Sequence, residues 1–448
     1  MTGANYLIEG GPSTSSGRLV KILVDCGLYQ GGNYAEKQNW ESFLYDPADI
    51  EAVFITHSHI DHVGRLPILV KQGFGGVVYS TSPTRDAAEL LLMDSQHILQ
   101  QEAEQHNRPL LCVEEDIKKL MGLWRGIAYH QPIKIGSLTI TLYNSGHILG
   151  SAFVKVEGPS TTNYESLTSI VFSGDLGNSP APLIGIKESL PDVNYAVIES
   201  TYGGRIHEDL QERKEIVEDL IEDTAKNKGV LIIPAFAMER TQELLFEINQ
   251  LVEQRRVPRM PIFLDSPLAI KLTDIYKKYR DYLAEGDSSG LGINFDFPDL
   301  RKTLTTEESK TINSVNPPKV VIAGSGMSQG GRILHHERRY LPDPNSTLLI
   351  IGYQAKGSLG RKILDGEKTV KIFGEEVAVN CRVKAIGGYS AHADQPQLLN
   401  WLKPQRELLE KVFVVQGEED QSMALAQKIK DELAVEAEIP DVNKVYML

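Results

Sequence analysis

From about residue 205 the chain settles into a regular alternation. "HEDLQERKEIVEDLIEDTAKN" reads as a helix, "GVLIIPAF" as a buried strand and "ERTQELLFEINQLVEQRR" as a helix. "PIFLDSP", "KVVIAGSG" and "TLLIIGY" then follow as apolar strands between helices. Helical crossovers between buried strands require a parallel sheet, so this part of the chain is α/β with a mostly parallel sheet. Before residue 205 the texture differs. "NYLIEGG", "RLVKILVDCG", "AVFITH", "GVVYST", "LTITLYNSG", "SAFVKVEG", "SIVFSGD" and "YAVIEST" are short strands set off by turns. Helices near 84–107 and 114–125 interrupt them, and "EGPSTTNYESLT" reads as an exposed hairpin loop. Near 387 a motif-rich stretch returns, followed by a helix and the strand "KVFVVQG". A chain of 448 residues is too long for one small core, so two domains are expected.

Charge and composition narrow the function. The net charge of −14 argues against broad, nonspecific nucleic-acid binding, and a polyanionic substrate would need a local basic tract or metal ions. There is no basic, apolar leader and no apolar run of eighteen residues, so a soluble, cytoplasmic protein without membrane association is expected. Cys26, Cys112 and Cys381 lie far apart and form no CxxC pair, which speaks against a disulfide framework or a thiolate zinc site.

The densest chemistry lies in "FITHSHIDHVGRLP", residues 54–67. An extended backbone sends His57 and His59 to one side, and Asp61 and His62 follow where the strand gives way to a turn. A solvated turn before a helix is the competing reading. The metal reading prevails because imidazole and carboxylate suit zinc, and because other strands end in similar residues. "SGHILGSA" places His147 after one strand, and "VFSGDLG" places Asp175 after another.

"HSHIDH", "GHILGS" and "FSGDLG" resemble the successive motifs of the metallo-β-lactamase superfamily, and "LVDCGLYQGG", with Asp25, resembles its first motif. "VIESTYGGR", "PAFAMERTQELL", "IAGSGMSQGGRILHH", "GSLGRKILDG" and "GGYSAHADQPQLLNWL" resemble the β-CASP branch, which contains nucleases of the cleavage and polyadenylation factor type. The resemblance implies an αββα sandwich with an inserted β-CASP α/β cassette. Residues 1–203 and 387–448 would form the sandwich, residues 204–386 the cassette, and the active site would lie between them. It further implies two zinc ions, one held by His57, His59 and His147, the other by Asp61 and His62, with Asp175 bridging. A shared metal-bound hydroxide would attack a phosphodiester of single-stranded RNA, with Asp61 counted among the catalytic residues. Glu199 and His392 match the family's acid and histidine motifs, and His392 would protonate the departing 3′ oxygen. A homodimer is one assembly the resemblance allows, and both endonuclease and exonuclease modes occur on it.

Two positions depart from the pattern. Gln416 stands where RNA-processing members carry a metal-binding histidine, and an amide oxygen is the weaker ligand, so the second zinc is expected to be loosely held. Met1 opens directly on the "TGANYL" segment, where members have a preceding strand; a truncated sequence and a shortened sheet edge both explain that.

Substrate contacts are expected at the turn "GSGMSQGGR", whose glycines and Ser325 offer donors to a phosphate at a helix start. Arg332 and Arg361 near it, and Arg240 in "MERTQ", complete the expected set. Arg338 and Arg339 read as solvated helix charges, and His97, His106, His130 and His207 as ordinary histidines. Two other function classes remain: a small-molecule metallohydrolase, against which the cassette argues, and a noncatalytic or weakly active RNA-binding member, which Gln416 favours.

Overall fold

The structure, a computed structural model, describes residues 3–12, 19–30, 37–160, 167–207, 210–284, 293–352, 354–386 and 389–448. It divides into two compact units, Met1–Ile206 with Ala391–Leu448, and His207–Ser390.

The first unit opens with the five-stranded sheet β1 (Tyr6–Pro12), β2 (Leu19–Val24), β3 (Ala52–Phe54), β4 (Val77–Ser80) and β5 (Trp124–Gly126), neighbours in that order. The first pair is antiparallel and the rest are parallel. A second sheet grows from β6 (Ile133–Ile135), β7 (Leu138–Asn144), β8 (Ala152–Pro159), β9 (Leu167–Phe172) and β10 (Tyr195–Glu199).

The chain then enters the second unit. Its sheet contains β11 (Val230–Pro234), β12 (Ile262–Asp265), β13 (Leu300–Lys302), β14 (Lys319–Ala323) and β15 (Thr347–Ile351). A hairpin, β16 (Thr369–Ile372) with β17 (Glu375–Ala378), precedes the last strand, β18 (Arg382–Ile386). The six sheet strands run in the order β13-β12-β14-β11-β15-β18, all parallel. Every residue of β11, β12, β14 and β15 is buried, including Asp265, Lys319 and Thr347 at the strand ends, as mainly apolar strands require when both faces of a parallel sheet are covered.

Back in the first unit, β19 (Lys411–Val415) and β20 (Glu436–Glu438) add in parallel beyond β10, completing the order β20-β19-β10-β9-β8-β7-β6. Successive side chains of a strand point to opposite faces, and this alternation builds four layers. Ile22, Val24 and Phe54 meet Ile140, Val154 and Phe172 between the two sheets. Leu23, Val53 and Val78 turn to the other side and pack against Leu66, Leu69, Leu92 and Leu120 of the helices Leu66–Lys71, Ser82–His106 and Glu114–Leu123. Val171, Ile198 and Val414 cover the far face of the second sheet together with Leu398, Leu402 and Leu425. Each such fully buried aliphatic side chain contributes about 1.5–3 kcal/mol of transfer free energy. The fold is therefore α/β, an αββα sandwich together with a unit built on a parallel sheet.

Some local expectations need correcting. The helix expected over 114–125 ends at Leu123, and Trp124 opens β5 instead. There the indole Nε1 donates to Ser80 Oγ at 2.9 Å, and Trp124 pairs with Val78. β8 and β9 pair as far as Pro159 and Leu167, but residues 161–166 of the expected hairpin loop lie outside the described residues. So do Gly31, Gly32, Gly387 and Gly388 of the quoted motifs, and residues 208–209 of the helix expected after 205. Among the described residues no helix is long and apolar enough to cross a membrane.

Candidate metal centre

β3 ends at Phe54, the chain bends at Thr56, and His59 is the extended residue before the helix Ile60–Val63. The rings of His57 and His59 nevertheless meet, and Asp61 and His62 lie in the first turn that follows. Two further stretches approach closely enough to need glycine. A Cβ on Gly27 would fall 1.5 Å from the Asp61 carbonyl oxygen, and one on Gly177 would fall 1.8 Å from that of Gly146. The second contact presses the loop after β9 onto the loop after β7 and so brings Asp175 beside His147.

Ligand atoms of His57, His59, His147 and Asp175 all lie within 4.8 Å of one another. His57 Nε2 stands 3.0 Å from His59 Nδ1, which is 3.3 Å from His147 Nε2. Asp175 Oδ2 is 3.3 Å from the first of these and 3.4 Å from the last. Burial first of all holds His57 and His147 well below the usual imidazole range and His59 at about 4, so all three rings are neutral at pH 7. The Thr56 hydroxyl donates to Asp25 at 2.8 Å, so it can accept from His57 Nδ1 at 3.0 Å, and His147 Nδ1 faces the Ala391 carbonyl at 3.2 Å. Both contacts place the proton on Nδ1 and leave Nε2 as a lone-pair donor.

His62 completes the picture. Its Nδ1 donates to Asp25 Oδ2 at 2.7 Å, and Asp25 also accepts from the Thr56 amide at 2.8 Å. His62 Nε2 is buried without a hydrogen-bond partner, 3.4 Å from Asp175 Oδ1 and 4.0 Å from Asp61 Oδ2. Burial opposes ionisation of Asp175, but the charge of His62 above all holds its carboxyl well below the usual range. Leaving a buried polar atom unpaired costs about 1–3 kcal/mol. Three neutral imidazoles and an ionised carboxylate, all within 4.8 Å of one another, form a donor set suited to a metal ion, and His62 Nε2 lies beside them on the other oxygen of Asp175, its ring oriented from behind by Asp25. The residues fit the ion.

Gln416 is held by partners of its own. Its backbone has a positive φ of 58°, its carbonyl accepts from Thr201 Oγ1 at 3.1 Å, and its side chain hydrogen-bonds the Tyr6 hydroxyl. His392 Nδ1 lies 3.1 Å from Glu199 Oε2 and 3.9 Å from Asp175 Oδ2. Glu199 is fully buried and fixed in turn, because its Oε1 accepts the Leu176 amide at 2.6 Å.

The four expected substrate contacts all fall in the second unit, and each is engaged there. Arg332 donates to Asp265 Oδ1 at 2.7 Å and to the Thr303 and Leu304 carbonyls at 2.9 and 2.8 Å, which makes its guanidinium a structural tie. Arg240 pairs with Glu243 at 3.4 Å and Arg361 with Asp365 at 2.8 Å. Ser325 Oγ accepts the Gln329 and Gly330 amides. Sequence reasoning passed over Thr56, Tyr6 and Lys187, and it gave Asp25 a place but no role. The strand-end "DCG" was the one signal available for Asp25.

A two-sheet sandwich with histidines and aspartates gathered at its strand ends defines a hydrolase of the metallo-β-lactamase class. Residues 17–167 match the metallo-beta-lactamase superfamily domain, residues 241–363 the Beta-Casp domain, and residues 376–440 the Zn-dependent metallo-hydrolase RNA specificity domain. Ribonuclease TTHA0252 of Thermus thermophilus is 36% identical over 428 residues, which span 95% of this chain and 92% of that protein. Transcription termination factor FttA of Methanosarcina mazei is 30% identical over 435 residues, 93% of this chain and 66% of that protein. A crystal structure of a protein of unknown function from Enterococcus faecalis V583 shares the fold, with a TM-score of 0.54 at 12% identity over 98% of this chain and 96% of that one. The chain belongs to the β-CASP family of metallo-β-lactamase hydrolases.

Proposed function

We propose that the chain is a zinc-dependent ribonuclease that cuts single-stranded RNA by phosphodiester hydrolysis, with endonuclease the favoured mode. The buried Nε2 of His62, without a hydrogen-bond partner beside Asp61 and Asp175, supports this reading, because together they would offer a second metal position next to the four-atom cluster. His57, His59 and His147 would hold one zinc, Asp61 and His62 the other, and Asp175 both. Zinc bound there supplies Lewis acidity and brings the pKa of water towards about 7. The chain's own part is proton transfer and orientation. Glu199, anchored on the Leu176 amide, fixes the His392 ring through Nδ1 and stabilises its protonated form. From there His392 would give a proton to the departing 3′ oxygen. The ribonuclease relative and the RNA specificity match favour RNA over a small-molecule substrate.

Gln416, turned to Tyr6, favours a second reading, an RNA-binding member that does not cut. Zinc analysis combined with a cleavage assay on labelled RNA separates them. The nuclease reading expects between one and two zinc ions per chain after gentle dialysis, and cleavage that chelation abolishes. Retention of RNA without cleavage at saturating zinc selects the binding reading, and cleavage by metal-free protein overturns the mechanism.

A further inference from the structure

Lys187 belongs to none of the motifs, yet its ammonium sits where three of them cross. Its Nζ donates to the Gly177 carbonyl at 2.8 Å and to Gln397 Oε1 at 3.0 Å, with Ser179 Oγ at 3.4 Å. The same Gln397 oxygen accepts the Ser179 amide at 2.9 Å, and its Nε2 donates to Asn178 Oδ1 at 2.8 Å. One lysine and one glutamine thus bolt the 177–179 turn, just past Asp175, to the helix Gln395–Leu402, just past His392.

Between the bolt and the site runs a short ladder. Gly177 and His392 face each other as an antiparallel bridge. The Asn178 amide donates to the Ala391 carbonyl at 2.8 Å, and the Ala393 amide to the Leu176 carbonyl at 2.7 Å. The Ala391 carbonyl also faces His147 Nδ1 at 3.2 Å. Lys187 is itself fixed at the third crossing. Its amide nitrogen lies 2.7 Å from where a Gly146 Cβ would stand, and the neighbouring Glu188 exchanges hydrogen bonds with Asn144 at 2.9 and 2.8 Å. Burial lowers the Lys187 pKa to about 8, against the pull of Asp394 and Glu199, so the group is charged at pH 7.

We infer that Lys187, through Gln397 and the Gly177 carbonyl, is a positioning residue that sets the His392 imidazole relative to His147 and Asp175. The inference deepens the nuclease reading and rests on it for its kinetic arm. An imidazole out of place by a fraction of an ångström leaves substrate binding and the metal ligands intact but slows proton transfer.

The test is Lys187→Cys, assayed before and after treatment with 2-bromoethylamine, which alkylates the thiol and rebuilds a lysine-like ammonium. Parent protein treated alike is the control, since Cys26, Cys112 and Cys381 are buried. At pH 7 the variant should lose about ten- to a hundredfold in kcat for RNA cleavage. KM and zinc content should stay within about twofold of parent, and aminoethylation should return most of the rate. An unchanged kcat overturns the inference, and so does a loss that tracks zinc loss and is not restored by aminoethylation. Should the parent cut no RNA at all, the nuclease reading fails by itself. The clamp is then judged on the ring signal of His392 in histidine-labelled protein, assigned with His392→Asn. Displacement in Lys187→Cys with return on aminoethylation upholds it, and an unmoved signal overturns it.

Discussion

Replacing His392 by alanine removes the imidazole that Glu199 orients while leaving His57, His59, His147 and Asp175 in place. Single-turnover RNA cleavage by His392→Ala should slow by about two to four powers of ten, the scale of a general acid, with zinc content unchanged. Normal cleavage would make the ring structural. Asp25→Asn tests the other side of the site. An asparagine amide can donate to His62 Nδ1 where the carboxylate only accepts, which moves the ring proton to Nε2 and blocks that lone pair. Zinc affinity of the proposed second position should fall about 10–100-fold, read by competition with a chelating dye. The motif "HSHIDH" stands out in the sequence because its titratable residues are packed within a few positions. The Asp25–His62 pair spans 37 residues of sequence and the Arg332–Asp265 pair spans 67. Local spacing says nothing about such partners, so neither the role of Asp25 behind His62 nor the tie of Arg332 to Asp265 can be read from the sequence.

At the scale of elements, Glu239 stands immediately before the helix Arg240–Glu253 with a φ of 63°, a conformation that costs a side-chain-bearing residue about 1–3 kcal/mol. Its carboxyl is buried and hydrogen-bonded by the Tyr276 hydroxyl. Burial, then Glu243, pushes its pKa up to about 8 against the opposing pull of Tyr276, Arg240 and Arg213. An unfolded glutamate titrates near 4.5, so between about pH 4.5 and 8 the folded chain holds the extra proton. Stability contributed by that proton is complete below the lower value and is lost as the pH rises to the upper one, by up to about 1.4 kcal/mol per pH unit. Glu239→Gln keeps the shape and the backbone strain but cannot titrate. Its Tm relative to parent should climb from pH 5 to pH 8. A difference that stays flat would mean the carboxyl is not held protonated. Elements of this kind divide by how they show in sequence. The mainly apolar strands β11, β12, β14 and β15 are plain, whereas β5, β6, β13 and β20 have three residues each and take their strand state from a neighbour's ladder. Tertiary pairing overrides so weak a local signal.

For the molecule as a whole, the candidate ligands gather from three strand ends: the stretch after β3, the loop after β7 and the loop after β9. An ion held there binds only the folded state, so it should stabilise the first unit by mass action, about 2.7 kcal/mol at a free concentration one hundred times Kd. Trp40, Trp124 and Trp401 are the chain's three tryptophans, and all lie in that unit, so tryptophan emission reports its unfolding. Chelation should lower the urea midpoint seen by this emission. Zinc should restore it, and the recovery should climb with the logarithm of free zinc instead of levelling off once the sites fill. Gln416→His adds a second axis to the same measurement. Histidine tolerates the positive φ at this position better than most residues, so the replacement should be accepted without refolding the loop. If position 416 borders the second metal, the variant's midpoint should begin to rise at lower free zinc than parent, and half-maximal RNA cleavage should shift in the same direction. Coinciding curves would place residue 416 outside the metal's shell and leave Asp61, His62 and Asp175 as its whole protein complement. A midpoint indifferent to zinc in both proteins would remove the metal from the account altogether.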